Sequence, residues 1–263
     1  MEARAWRTIR VEVEGSTATI VMNKPERKNP LGPEMVNELA IALDDAKDDP
    51  GIRAVVITGA GTAFSAGGDL KQMSGGAEGG GEPLPHRADY VDLLLRFTTL
   101  GKPTIARVPG VAMGGGLGIV ASCDFAIACE SAIFGTPEIH RGLFPMMIMA
   151  VLRRVVSRRR LMEMMLLGDK MSARDAEAIE LVSKVVPDTE LDASVRELAT
   201  KLAERSPTAM RMGLAAFHAQ ADRDLASALP MLRDQLVAIL GTEDAREGLM
   251  AFVEKRAPAW TGR

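Results

Sequence analysis

The sequence predicts an α/β fold built with parallel crossovers and finished by a helical C-terminal portion. Three observations carry that prediction. Over the first half, short apolar runs alternate with glycine-rich loops and amphipathic segments of helical length. From about Met146 onward the pattern changes to helices. No Pro/Ser-rich linker separates the halves, so they read as one structural unit.

Taken in order, residues 8–13 alternate apolar and polar, Gly15-Ser16 interrupts them and residues 17–22 resume, which predicts a β-hairpin. Residues 23–30 are a polar, proline-bounded loop. Pro33 then opens a helix with Val36, Leu39, Ala40, Leu43 and Ala46 on one face, stopped by Pro50. Residues 53–58 read as a buried strand running into a first glycine cluster. A helix over residues 88–100 and a strand over 103–108 lead into a second cluster, followed by an apolar stretch at 119–122 and a strand at 124–128. Beyond Met146, Leu191, Val195, Leu198 and Leu202 form one helical stripe, and Leu225, Leu229, Leu232, Leu236 and Leu240 form another. Ala245, Leu249 and Phe252 mark a last helix before Pro258. The low-complexity piece at 74–85 (SGGAEGGGEPLP) lacks the apolar side chains to order itself and is expected to be a mobile loop beside the first cluster.

Composition narrows the function. The 263 residues carry 32 Lys+Arg against 35 Asp+Glu, a formal net charge of −3, which provides no global field for nucleic acid. No apolar run approaches the ~18–20 residues of a membrane span, and the N-terminus lacks the apolar stretch of a signal peptide. Two cysteines, Cys123 and Cys129, are too few for a disulfide framework or a four-ligand zinc site, so no metal is expected and a reducing cytoplasm is the default compartment. The 25 glycines are placed unevenly, with nine in residues 59–81 and five in 110–118, as where backbone must approach something closely.

Four constellations could carry chemistry. Neither glycine cluster completes a dinucleotide fingerprint: after Gly59-Ala60-Gly61 the third glycine position is Phe64, and after Gly114 it is Ile119. Residues 63–67 (AFSAG) differ from a hydrolase nucleophile elbow only at Ala63, with Ser65 as nucleophile and His86, His140 or His218 as possible bases; the plain alternative for Ser65 is a small residue in a tight loop. Arg153, Arg154, Arg158, Arg159 and Arg160 form a basic concentration that reads as the wet face of a helix pair or a patch for anions, without the aromatics that stack nucleic-acid bases. The fourth is the informative one. A glycine run opening a helix exposes free N–H groups that bind developing negative charge, and residues 134–138 (FGTPE) place Glu138 among Ile139, Leu143, Phe144 and Met146 to Met149. Desolvation there would raise its pKa and suit it to proton transfer; a capping or salt-bridged glutamate is the alternative.

At this point the residues resemble the enoyl-CoA hydratase/isomerase, or crotonase, superfamily. Residues 23–31 (NKPERKNPL), 63–71 (AFSAGGDLK), 108–116 (VPGVAMGGG) and 243–256 (EDAREGLMAFVEKR) look like its signatures, in order and at family spacing over nearly the whole chain. The resemblance implies repeated ββα turns forming a crotonase-like superhelix over residues 1–195, with 196–263 as a helical trimerisation region of the same unit, assembled as a homotrimer or a hexamer. It puts an oxyanion hole on the backbone N–H groups of Gly68 and Gly115, holding the thioester oxygen of an acyl-CoA or enoyl-CoA as an enolate develops. Lys28, Ala63, Ala66, Asp69, Leu70 and Lys71 would bind the coenzyme A portion, with Phe252 and Lys255 reaching its adenine and phosphate, often from the next subunit. No separate cofactor is implied, because coenzyme A arrives as part of the substrate.

Two departures from the family pattern bear on the chemistry. Family hydratases use two glutamates; the second matches Glu138, but the first would fall where this sequence has Gly118. One carboxylate suffices to move a double bond, so isomerisation is the expected reaction, with hydration by a substitute acid (Asp69 or His140) and non-catalytic acyl-CoA binding as alternatives. Pro145-Met146-Met147-Ile148-Met149 replaces a common glycine-rich helix start, and Met146 is the candidate for lining an adaptable acyl pocket.

Overall fold

The computed structural model describes residues 4–69 and 84–263. Candidate residues Leu70 and Lys71, and the expected mobile loop up to residue 83, lie outside the described residues. Strands β1 (Ile9–Glu14) and β2 (Thr17–Met22) form the expected antiparallel hairpin, turning at Gly15 with φ +58°. Beside them, β3 (Ala54–Gly59), β5 (Thr104–Val108), β7 (Phe125–Cys129) and β10 (Lys184–Val186) add in parallel, giving a six-stranded sheet of order β1-β2-β3-β5-β7-β10. The central strand β3 is buried along its whole length and almost entirely apolar, as a strand covered on both faces requires.

Between these strands the chain visits a second sheet. The short strands β4 (Ala63–Ser65), β6 (Val111–Met113) and β8 (Ile133–Gly135) pair in parallel, and β9 (Met171–Ser172) closes the edge antiparallel to β8. From β3 to β8 successive strands therefore alternate between the sheets, a pair before each following helix, which is the ββα repeat.

Helix α1 (Pro33–Asp48) begins with Pro at its first position and turns Met35, Leu39 and Leu43 into the core. Its buried Glu38 accepts hydrogen bonds from the N–H groups of Arg7, Thr8 and Ile9, tying the start of β1 to the helix. Helix α2 (Tyr90–Thr99) starts at a capping box in which Asp89 and Asp92 each accept the other's N–H. Helix α3 (Gly115–Ser122) is longer than the apolar stretch expected at 119–122, because the glycine run forms its first turn. Next come α4 (Met146–Leu152), α5 (Arg158–Leu167), α6 (Ala173–Ala178) and α7 (Leu191–Ala203). The five clustered arginines are all exposed, around the α4–α5 junction, with Arg154 paired to Asp222 and Arg160 to Glu163.

One apolar cluster runs from Ile9 to Ala199 and joins both sheets, with Phe64, Phe134 and Leu117 fully buried where they meet. Helices α8 (Pro207–Gln220), α9 (Leu225–Leu240) and α10 (Glu243–Glu254) lie outside that cluster. The stripe on α7 packs inward as a core-facing helix should, but on α9 Leu225, Leu229, Leu236 and Leu240 are all exposed. By then the core is already closed, and α9 turns the small Ala228 inward instead. Asp244 anchors this region, accepting from the Ser206 hydroxyl at 2.6 Å and from the N–H groups of Thr261 and Gly262.

Candidate active site

The parallel pairing of β4, β6 and β8 sends three successive segments out of the same end of one small sheet. Residues 66–69 follow β4, Gly114-Gly115 follow β6 and Thr136-Pro137-Glu138 follow β8. The carboxyl end of parallel strands is where α/β folds place ligands, and here it gathers both expected backbone donors and the expected carboxylate.

Gly68 sits in an isolated parallel bridge with Leu31. Leu31 N–H donates to Gly67 O at 2.8 Å and Asp69 N–H donates to Leu31 O at 3.0 Å, which turns the N–H of Gly68 itself away from Leu31. Gly115 is the first residue of α3, after a capping residue, Gly114, that offers no side chain, so its N–H belongs to the unsatisfied first turn. The two loops touch: a Cβ on Gly67 would lie 2.9 Å from Met113 O, and one on Gly115 would lie 3.2 Å from Leu31 Cδ1.

Glu138 is held in a 3-10 turn over Pro137–Arg141, with Leu143 N–H on its carbonyl at 3.1 Å. Its carboxylate lies against Gly114, where an added Cβ would come within 2.7 Å of Oε1. That contact, with φ +49°, restricts position 114 to glycine. Oε2 is buried with no hydrogen-bond partner among the described residues. Burial pushes the Glu138 pKa upward, opposed by its own backbone N–H and by Arg141. A half-desolvated, underbonded carboxylate beside the first turn of α3 is suited to taking a proton and giving it back.

Position 118 is not an empty slot. A Cβ on Gly118 would lie 2.4 Å from both Ile148 Cγ2 and the Tyr90 hydroxyl oxygen. The Tyr90 hydroxyl donates to Gly115 O at 2.6 Å. Burial pushes its pKa upward and the nearby Glu138 charge adds to the shift, so the phenol stays neutral. Neither Tyr90 nor Ile148 was singled out from the sequence. The signals available were that Tyr90 is the sole tyrosine and that it follows the aspartate opening α2's capping box.

A family model for enoyl-CoA hydratase/isomerase matches residues 12–263. The chain belongs to the enoyl-CoA hydratase/isomerase family. A relative from Thermus thermophilus with an enoyl-CoA hydratase name is 38% identical over 259 residues, covering 94% of this chain and 99% of its own. Among solved structures, an enoyl-CoA hydratase from Mycobacterium smegmatis superposes with a TM-score of 0.89 at 33% identity, covering 97% of this chain and 99% of its own. One from Bacillus anthracis gives a TM-score of 0.89 at 30% identity, covering 98% and 100%.

Within this hydratase/isomerase chain, the remaining expected site residues fall as follows. Lys28 is exposed, in a left-handed conformation with φ 60°, and its carbonyl accepts Ala66 N–H at 2.8 Å, so the first and second signatures are adjacent. Asn29 binds them further: its amide donates to Ala60 O, Ala63 O and Phe64 O. Ala63 itself is buried. Asp69 is 2% exposed and ion-paired with Arg27 at 2.6 Å, which leaves it poorly placed to act as a substitute acid. His140 is exposed, with Nε2 3.1 Å from Gly168 O. The Ser65 hydroxyl is fully buried and donates to Asn29 O at 2.7 Å while accepting Gly67 N–H, so it shapes the loop and is no exposed nucleophile. Met146 is 65% exposed; the apolar side chain closing over Gly118 is Ile148, two residues on. Phe252, 84% exposed, and Lys255 stand at the outer end of α10.

Proposed function

We propose that this enzyme isomerises the double bond of an unsaturated acyl-CoA thioester, with Glu138 as a single proton shuttle. Glu138 takes a proton from C2 of a 3-enoyl thioester. The electron pair moves onto the thioester oxygen, which the N–H groups of Gly68 and Gly115 receive as an oxyanion hole. Collapse of the enolate shifts the double bond to C2–C3, and Glu138 returns its proton to C4. Each N–H donor in such a site is worth about 3 kcal/mol of transition-state stabilisation. Coenzyme A enters with the substrate, and no separate cofactor takes part.

The observation that carries this reading is the packing at Gly118. A hydratase of two glutamates needs an acid at that position and space for its water; here Tyr90 and Ile148 fill the space, while Asp69 and His140 are engaged elsewhere. The names of the relatives favour hydration as the second reading. Supplying 3-enoyl-CoA and 2-enoyl-CoA separately to the wild type and to Glu138→Gln distinguishes the two. Conversion of the first substrate, lost in the variant, with little hydration of the second, is expected; fast hydration of 2-enoyl-CoA would sink the isomerase reading. Turnover of neither, with measurable coenzyme A binding, would make this a binding protein.

We further infer a homotrimer or hexamer in the cytoplasm. The uncovered apolar side chains of α9 and α10, among them Leu225, Val237 and Val253, make a surface that further copies of the chain would bury. In that assembly Phe252 and Lys255 would reach a neighbour's coenzyme A.

A further inference from the structure

We propose that Tyr90 is a positioning residue of this site: its hydroxyl braces the first turn of α3 through Gly115 O and, with Ile148, fills the volume beside Gly118, so that the Gly115 N–H is aimed and water is kept out. The proposal rests on the thioester reading above.

The placement is built from several sides. Asn37 on α1 accepts the N–H groups of Arg87 and Ala88 and donates to Pro85 O at 3.1 Å, clamping the chain that enters α2. The Asp89–Asp92 capping box then fixes the start of α2, and Tyr90 is its first residue. From there the ring reaches across 25 positions of sequence to α3. The first turn of α3 is four residues with three glycines, the weakest of ordinary helix formers. A hydrogen bond to Gly115 O restrains it from outside. Aim is what matters for such a donor, because an N–H stabilises an oxyanion only when preorganised toward it. The phenol has one proton and spends it on Gly115, so toward the interior of the site Tyr90 offers no acid to replace the missing glutamate.

Tyr90→Phe keeps the ring and removes only the hydroxyl. The probe is a conjugated dienoyl-CoA thioester, whose absorption band moves to longer wavelength when its carbonyl is polarised. In Tyr90→Phe the bound probe is expected to show a smaller red shift than in wild type. On 3-enoyl-CoA, kcat should fall about tenfold, the kinetic equivalent of one hydrogen bond, with KM changed little and the unfolding temperature preserved. An unchanged red shift and kcat would overturn the proposal alone. No red shift even in wild type would overturn the thioester reading, and the proposal with it. Should Tyr90→Phe fail to fold, biosynthetic fluorotyrosine labels this one position in the unaltered sequence, because the chain has a single tyrosine. Its fluorine resonance is expected to move when the thioester binds, and an unmoved resonance would overturn the proposal.

Discussion

At Glu138 burial favours the neutral acid while proton abstraction needs the anion. The pH dependence follows. A carboxyl whose pKa is raised on folding adds stability below its unfolded pKa and loses that contribution as pH rises through the folded value. At neutral pH and above the charge is therefore a burden to the fold, and Glu138→Gln is expected to unfold at the same temperature as wild type or higher. Activity should fall by roughly 10²–10⁴, and the rising limb of kcat/KM, set by a pKa above the usual glutamate value, should vanish. A large loss of stability in Glu138→Gln, read by thermal unfolding, would show the carboxylate to be structural instead. Gly118 makes the opposite kind of prediction. With Ile148 and Tyr90 each only 2.4 Å from where its Cβ would stand, Gly118→Ala should cost about 1–3 kcal/mol as overpacking. For the same reason Gly118→Glu alone should destabilise the protein rather than install a working acid; calorimetry on the pair checks both.

Among the elements, the loop between β2 and α1 matters most to the site. Lys28 and Asn29 are consecutive left-handed residues, and the Asn29 amide ties this loop to the glycine segment after β3. Asn29→Ala leaves buried carbonyls without donors and puts a less tolerant side chain at φ 52°, so a loss of about 2–4 kcal/mol is expected by denaturant unfolding. On the proposed reading, in which Lys28, Ala63 and Ala66 meet the coenzyme A portion of the substrate, its affinity should weaken with it. Much of this scale was legible in the sequence. Prolines bounded α1, alternation marked the β1–β2 hairpin, and continuous apolar runs marked the buried parallel strands. Helix α3 was only half visible, since glycine is a poor helix former and the turn it opens is held by tertiary contacts such as Tyr90. The roles of Tyr90 and Ile148 were not legible at all. Both depend on volume near Gly118 contributed by segments distant in sequence, and no local pattern records that. Glu138, by contrast, stood out as an acidic residue set among apolar ones, a pattern that a capping or salt-bridged glutamate also fits.

For the whole molecule, the leucine stripe on α9 illustrates what periodicity leaves open: it identified an apolar face but not whether the chain's own core or another copy covers it. The exposed face predicts association. Analytical ultracentrifugation should give three or six times the 28.2 kDa chain mass, and a monomer at micromolar concentration would contradict it. Leu236→Glu, on that face, should lower the assembled fraction while leaving the ββα core folded. The central claim, though, concerns chemistry: one carboxylate moves a proton while packed side chains exclude water. It is tested most directly by turning over a 3-enoyl-CoA deuterated at C2 in heavy-oxygen water and reading the product by mass spectrometry. The expected product is a 2-enoyl-CoA with part of the deuterium carried to C4 and no heavy oxygen in the acyl chain. A 3-hydroxyacyl-CoA bearing heavy oxygen as the main product would contradict it.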